Sequence, residues 1–351
     1  MKSVHAAFSQ TTQVGIVIVH CGGEKVLEDC IRTLENQSWG NYRIWVVDNG
    51  STDGSAEKVV GRHPGLELIR LKENRGWSGG NNAGIRAALA AGVEWVWLLN
   101  NDTLVEPNCL ERLMAHAEAN PQDMVLSPLV RYAKPSDAIW FAGGKVDTLN
   151  LELTGCMTDE EFRGLGGATW PYISGCAMLV QRDVFRRIGF IDERFFLYCE
   201  DVDFTVRAWR KGMGLAVVRD AELRHLVSHS TGGMKKKTPQ RVYHFFLSTL
   251  LFWRKVLGFR EFHTRFLRVF LSKRLVSQTG NLEEVELAAY ADALWHLATL
   301  KRHAGTRTAC PAWFRHLLEK KPWVLVAILG FDVGPLWRSM RKRILARRND
   351  Q

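Results

Sequence analysis

Val14-Gly-Ile-Val-Ile-Val19 is a short, wholly apolar run rich in β-branched residues, the pattern of a strand buried on both faces in a parallel sheet. Val26, Leu27, Cys30, Ile31 and Leu34 follow at helical spacing. Tyr42–Val47 reads as a second strand ending at Asp48, Ser55–Val60 begins a helix, and Leu66–Leu71 reads as a third strand. An Ala-rich helix is predicted over Asn82–Ala91, and Glu94–Leu99 is a fourth strand that ends in Asn100-Asn101-Asp102. Strands alternating with helices imply an α/β fold: a doubly wound, mostly parallel sheet flanked by helices, with ligands at the carboxyl ends of the strands. The polar clusters after Val19, Val47 and Leu99 all fall at that edge. From Leu126 to Gly233 the pattern loosens into short strands and Gly-rich loops around one clear helix, Val202–Lys211. Beyond Thr238 it turns helical and aromatic. Residues 1–238 therefore read as one α/β domain, and residues 239–351 as a basic, aromatic-rich helical extension with its own character.

Composition excludes several classes. Apolar residues at 46% and charged residues at 24% are ordinary globular values, unlike those of disordered, collagen-like or polytopic membrane proteins. The net charge of +10 is unevenly placed. Residues 234–351 carry 23 Lys/Arg against 8 Asp/Glu, whereas residues 1–233 carry 24 against 29. Seven scattered cysteines without CxxC spacing point to reduced thiols in a cytoplasmic compartment rather than a disulfide framework or zinc cluster. The first dozen residues lack the apolar core of a secretory signal. No run reaches the roughly 18–20 apolar residues of a spanning helix, since Trp323–Phe331 is about half that length.

Five segments carry candidate chemistry. Asp48-Asn-Gly-Ser-Thr-Asp-Gly-Ser55 places an acid at a strand's carboxyl end, where it can accept hydrogen bonds from a base or ribose; equally it reads as a turn and N-cap. Asn74-Arg-Gly-Trp-Ser-Gly-Gly-Asn-Asn-Ala-Gly84 is dense in Gly and Asn, which let a backbone approach a ligand and present amides; a bland loop is the competing reading. Asn100-Asn101-Asp102 offers a carboxylate and amides to a hard divalent cation, or simply ends a strand. Glu200-Asp201-Val-Asp203 opens a helix, where acids suit the macrodipole, yet crowded carboxylates also raise one another's proton affinity and suit a general base. Arg224-His225-Leu-Val-Ser-His229 adds two imidazoles able to ligate a Mn²⁺-like ion.

Taken in order, the segments at Val46–Ser55, Asn74–Ile85, Leu98–Thr103, Ile173–Leu179, Ile191–Gly212 and His225–Gly233 resemble the family-2 glycosyltransferases, inverting enzymes of the GT-A fold. The likeness spans roughly residues 13–255 and is closest to the rhamnosyltransferase-like branch that builds bacterial surface polysaccharides. It implies that residues 1–238 are the nucleotide-sugar-binding and catalytic domain. Asp48 then matches the residue contacting the donor nucleoside, with Val19, His20, Asn74, Gly80, Asn81, Asn100 and Asn101 as further donor contacts. Asn100-x-Asp102 matches the family's DxD metal motif with its first acid replaced by Asn. The resemblance thus implies a divalent cation, Mg or Mn, held by Asp102 and His225, with His229 the alternative ligand. Glu200-Asp201 matches the ED motif, whose Asp is the expected base, so both are candidate catalytic residues. One departure stands out: His20-Cys21-Gly22 occupies the place where the family usually has a Tyr-Asn or similar pair.

The expected reaction moves a sugar, with rhamnose as a candidate, from a nucleotide-diphosphate sugar to a lipid-linked or oligosaccharide acceptor. A single in-line displacement needs one base and stabilisation of the departing diphosphate, so the two-carboxylate scheme of glycoside hydrolases is not implied. A nucleotidyltransferase would need a basic, Gly-rich phosphate loop after the first strand, and Val19-His-Cys-Gly-Gly-Glu24 has no basic side chain of that kind. A nucleic-acid-binding protein would suit the basic tail. The tail's charges are interleaved with apolar and aromatic runs, however, which suits an anionic membrane surface better and leaves no nucleic-acid partner expected. The expected location is the cytoplasm, peripheral on the inner face of the plasma membrane. The tail's apolar face fits packing on the catalytic domain or on a second subunit as the alternative.

Overall fold

The computed structural model describes residues 12–133, 138–156, 158–227, 238–262, 284–299 and 309–320. The chain divides into two compact units, Met1–Lys236 and Lys237–Gln351.

The first unit is built on strands β1 (Val14–His20), β2 (Tyr42–Asn49), β3 (Leu66–Leu71) and β4 (Trp95–Asn100). They lie in parallel in the order β3-β2-β1-β4, with helices α1 (Glu24–Glu35), α2 (Ser55–Arg62) and α3 (Gly76–Ala90) as the connections. Strand periodicity decides where the apolar side chains go. Val14, Ile16 and Ile18 enter one core with Leu27, Ile31 and Trp97, while Val17 enters the other with Trp45, Ile85 and Val96. Each such residue, fully withdrawn from water, contributes about 1.5–3 kcal/mol of burial, which is why this run sits at the centre of the sheet.

Of the remaining strands, some extend that sheet in mixed directions and three form a separate small sheet. They are β5 (Thr103–Val105), β6 (Asp123–Tyr132), β7 (Ile139–Phe141), a small antiparallel sheet of β8 (Gly144–Asp147), β9 (Glu152–Gly155) and β10 (Thr169–Tyr172), then β11 (Ala177–Gln181) and β12 (Gly214–His225). The full order is β3-β2-β1-β4-β11-β6-β12-β5, with β7 on β6. β11 runs antiparallel to β4 and β6, and β5 antiparallel to β12. Helices α4 (Cys109–Ala119), α5 (Asp159–Arg163), α6 (Arg182–Ile188) and α7 (Glu200–Arg210) complete the unit.

One boundary differs from the periodicity reading. α3 starts at Gly76, six residues before the expected Asn82, so the Gly- and Asn-rich stretch is mostly helix rather than loop. The cause is packing. A Cβ on Gly84 or Gly80 would collide with Val17 or Val19, so these positions let the helix lie hard against β1.

The second unit contains α8 (Pro239–Glu261), broken at Gly258 where φ is +74°, α9 (Glu284–Thr299) and α10 (Ala312–Lys320). Tyr243 Oη lies 2.9 Å from His296 Nδ1, and buried Asp292 accepts the Cys310 N–H at 2.7 Å. No described helix is long and apolar enough to cross a membrane. His229, Trp323–Phe331 and the basic residues from Arg338 to Arg348 lie outside the described residues.

Candidate active site

Strand register assembles the site. His20 is paired with Asp48 across β1 and β2, and Val19 with Asn100 across β1 and β4. The antiparallel β11 brings its beginning to the same edge, where the Asn100 N–H donates to the Cys176 carbonyl at 2.9 Å. Thr103 of β5 pairs with His225 of β12, which sets the imidazole beside Asp102. Residues separated by up to two hundred positions thereby share one sheet edge.

The β1–β2 side of the edge is a closed hydrogen-bond network. Asp48 accepts the Ser51 N–H at 2.9 Å and the Ser51 hydroxyl. Asn49 takes the Arg75 N–H on its oxygen and donates to Asn74 Oδ1 and the Gly76 carbonyl. Asp53 accepts the Gly23 N–H at 2.9 Å and both the N–H and hydroxyl of Ser55, which together hold its carboxyl far below the usual range.

His20 is fully buried and has a different place from the donor contact expected of it. Asn101 Nδ2 donates to its Nδ1 at 3.0 Å, so the proton sits on Nε2, which bonds Ser55 Oγ at 2.7 Å. Burial lowers the His20 pKa against the pull of Asp53, Asp48 and Glu57, favouring the neutral ring. The chain Asn101–His20–Ser55–Asp53 thus stands where the family usually has its pair, running from buried groups to the exposed Asp53 and bracing the ends of β1 and β4 against the start of α2. Gly80 and Asn81 likewise serve the helix: Gly80 packs on Val19, and Asn81, 2% exposed, donates to the Trp77 carbonyl at 2.9 Å.

Asp102 and His225 meet at 3.1 Å between Oδ1 and Nε2, both almost fully buried. Trp140 stands edge-on to the imidazole, with ring centroids 4.5 Å apart. Burial alone would lower the His225 pKa, but the Cys176 sulfur and the Asp102 carboxylate outweigh it and push it up to about 10. His225 Nδ1 is buried with no hydrogen-bond partner among the described residues. Asp102 Oδ1 and, once the imidazole gives up its proton, the His225 Nε2 that faces it are one oxygen and one nitrogen of the kind that hold a divalent cation completing its shell from phosphate and water. Among the described residues no group of three or more His, Cys, Asp or Glu side chains forms a fuller cage.

On the other side, α7 opens with Glu200 and Asp201. The half-buried Asp201 accepts the Gly175 N–H on Oδ2 and the Val202 N–H on Oδ1, both at 2.8 Å. Burial raises its pKa against these bonds. Glu200 is 6% exposed, its Oε2 has no partner among the described residues, and burial plus the Asp201 charge push its pKa well above the carboxylate range. Both carboxyls are therefore displaced toward the protonated form, Glu200 by burial and the Asp201 charge, and Asp201 by burial. Trp77 was not among the residues singled out, yet its indole lies between these two sides; a tryptophan inside a Gly-rich run reads as core filling unless the strand pairings are known.

Residues 15–189 match the profile of the family described as "Glycosyl transferase family 2". Among curated proteins, the N-acetylglucosaminyl-diphospho-decaprenol L-rhamnosyltransferase of Mycobacterium tuberculosis is 29% identical over 235 residues, 59% of this chain and 73% of that protein. The low-salt glycan biosynthesis hexosyltransferase of Haloferax volcanii is 28% identical over 192 residues, covering 54% of this chain and 60% of its own. Among solved structures, S. aureus TarS superposes with a TM-score of 0.52 at 16% identity over 81% of this chain, which spans about half (48%) of the TarS chain. A TarS fragment, residues 1–349, gives 0.51 at 16% identity and is covered to 79%. At that identity the likeness is one of fold, and it agrees with the GT-A arrangement of helices around a mixed sheet. With the family profile and these relatives in accord on the segment that carries the site, the chain belongs to glycosyl transferase family 2.

Proposed function

We propose that the chain is an inverting, divalent-cation-dependent hexosyltransferase acting on a nucleoside-diphosphate sugar and a lipid-linked or oligosaccharide acceptor, with rhamnose a candidate sugar. The observation that carries the reading is one sheet edge bearing Asp48, the Asp102–His225 pair and Asp201, each set there by strand register or by the start of α7. Asp48 would meet the donor's nucleoside. Asp102 and His225 would hold the cation, which when bound supplies charge neutralisation for the departing diphosphate.

Asp201 is suited to take the acceptor's proton. Its two backbone donors fix the carboxylate in one orientation, and each oxygen keeps a second lone pair for an incoming hydroxyl. The raised proton affinity of Glu200, caused by burial and the Asp201 charge, favours a neutral neighbour for Asp201 and so limits like-charge repulsion in the pair. The loop after β1 does not favour nucleotidyl transfer, because its Gly23 N–H, a natural phosphate donor, is already taken by Asp53.

The relative from Mycobacterium tuberculosis is named for a decaprenol-linked substrate. The surplus of basic residues after 234, and Phe245 and Trp313 exposed in the helical unit, suit attachment to the anionic inner face of the plasma membrane. Sedimentation with anionic liposomes at low and high salt tests this, and loss of binding on deleting residues 322–351 is the expected result.

The test of the reaction is a panel of sugar nucleotides scored by release of nucleoside diphosphate, followed by NMR of the product's anomeric centre. Inversion with activity abolished by chelator is expected. Retention of configuration, or full turnover in excess chelator, would overturn the mechanism or the cation respectively.

A further inference from the structure

We propose that Trp77 is a positioning residue that couples the diphosphate side of the site to the catalytic carboxylate; the proposal builds on the reading of Asp201 as the base. The start of α3 is fastened to the segment that leads into α7. Trp77 N–H donates to the Phe196 carbonyl at 2.9 Å, the Ser78 hydroxyl donates to the Phe195 carbonyl, and the Asn82 amide bonds both backbone groups of Ile191. Gly76, at φ +73°, comes so close to the Phe196 carbonyl that any side chain would collide with it. The Gly- and Asn-rich run therefore acts mainly as a clamp on the chain before the base.

From that clamp the indole reaches in two directions. Its Nε1–H donates to Asn100 Oδ1 at 3.1 Å, two residues from Asp102. This consumes the amide's acceptor and leaves its N–H₂ as the group Asn100 can offer a diphosphate oxygen. The ring itself lies over Gly175: a Cβ there would come within 2.5 Å of the Trp77 Cζ2 and 3.2 Å of the Asp201 Cβ. Gly175 is the residue whose N–H holds Asp201 Oδ2. One side chain thus touches both the end of β4 and the peptide unit that orients the carboxylate. An aliphatic residue could fill the volume but could not bond Asn100.

Two substitutions separate the two reaches. Trp77→Phe keeps a ring over Gly175 and removes the N–H. It should raise the donor KM and weaken UDP, GDP or dTDP binding by about 3–10-fold, one neutral hydrogen bond, with the acid limb of the kcat–pH profile unmoved. In an Asn100→Ala background the same change should have no further effect on binding. Trp77→Leu removes the aromatic cover as well, so the Gly175 N–H should hold the charged carboxylate less firmly. Its kcat should fall at least tenfold, with the acid limb moved to higher pH. The proposal is overturned if Trp77→Phe leaves nucleotide affinity unchanged, if its effect adds fully to Asn100→Ala, or if Trp77→Leu loses kcat only in step with its melting temperature while the limb stays put. Near-normal turnover by Asp201→Asn would defeat the base assignment instead, and the Trp77–Asn100 coupling, read from nucleotide binding alone, would still stand or fall separately.

Discussion

The two ends of the active-site edge are finished in opposite ways. On the donor side nearly every polar group is satisfied from within the chain: Asp48 by Ser51, Asp53 by Gly23 and Ser55, His20 by Asn101 and Ser55, Asn49 by three neighbours. Around the start of α7, Glu200 keeps a buried oxygen without a partner among the described residues, and Tyr198 and Cys199 enter the helix in left-handed backbone conformation, at φ +71° and +60°. Saturation builds a rigid cradle for a ligand that must be held identically each turnover. Unfilled valences and strain belong where protons and charge must move. On the proposed roles, the difference separates binding from chemistry along a single edge.

The acceptor side should therefore respond to substitution in rate, with little change in stability. Asp201→Asn keeps the shape but can accept only one of the Gly175 and Val202 N–H groups, which bond different oxygens of the carboxylate. Turnover should fall by about 10²–10⁴-fold, while titration with nucleoside diphosphate gives an affinity close to the parent's. Glu200→Gln should behave differently. An amide keeps the shape of this buried carboxyl and brings no charge into its place, so urea unfolding should find it within about 0.5 kcal/mol of the parent. If Glu200→Gln is the inactive variant, the two roles must be exchanged.

The donor side should respond in stability first. His20→Ala removes a ring that is fully buried and leaves Asn101 and Ser55 without their partner. A cavity plus two weakened polar groups should cost about 2–4 kcal/mol in urea unfolding, with donor KM raised and kcat affected less. A change confined to kcat would mean that His20 belongs to the chemistry and that the contrast between the two ends is drawn in the wrong place.

The same saturation continues in the layer outside the donor cradle, where Glu28 of α1 meets Arg62 of α2, His63 and Arg32. Hydrogen bonds, first from Arg62 and then from His63 and Arg32, lower the Glu28 pKa to about 2. Its folded value lies below its unfolded one, so this contribution is complete above the ordinary glutamate pKa. It is lost as pH falls from about 4.5 towards 2. Glu28→Gln should cost about 1 kcal/mol at pH 7, after allowance for solvent screening, and the gap to the parent should close in unfolding curves taken towards pH 2.

How much of this could be read beforehand follows from the range over which each signal acts. The central parallel strand is legible because burial on both faces forces an unbroken apolar run, as in Val14–Val19, while the edge strand Leu66–Leu71, only partly buried, also lies where the pattern puts it. Asp102 and His225 came together only through the β5–β12 pairing, so the family likeness could name both residues but not their 3.1 Å contact. The start of α3 was missed because Gly and Asn signal loops locally, whereas here they answer to Val17, Val19 and Phe196, which lie far away in sequence. His20 was misjudged for a related reason. A polar residue at a strand's carboxyl end normally faces the ligand, and only the positions of Ser55 and Asn101 show that this ring faces inward.

Strain before α7 offers the smallest and most discriminating test. Left-handed backbone costs an L-residue roughly 1–2 kcal/mol, a cost absent for glycine and heaviest for β-branched side chains. Cys199 occupies this conformation as the N-cap of α7, and its carbonyl accepts the first helical bond, from Asp203 N–H at 2.9 Å. Cys199→Gly should relieve the strain while loosening the unfolded chain and giving up a small buried side chain, leaving stability within about 0.5 kcal/mol of the parent. Cys199→Val, closer to cysteine in size, should be worse by about 1–2 kcal/mol, because two Cβ branches crowd the left-handed backbone. Size alone would rank the two variants the other way, so melting curves of the pair distinguish strain from packing. If strain also aims Asp201, the glycine variant should turn over a few-fold more slowly despite its stability, because the first turn of α7 is no longer held to one direction. A glycine variant matching the parent in both measurements would confine the left-handed pair to a turn of no catalytic consequence.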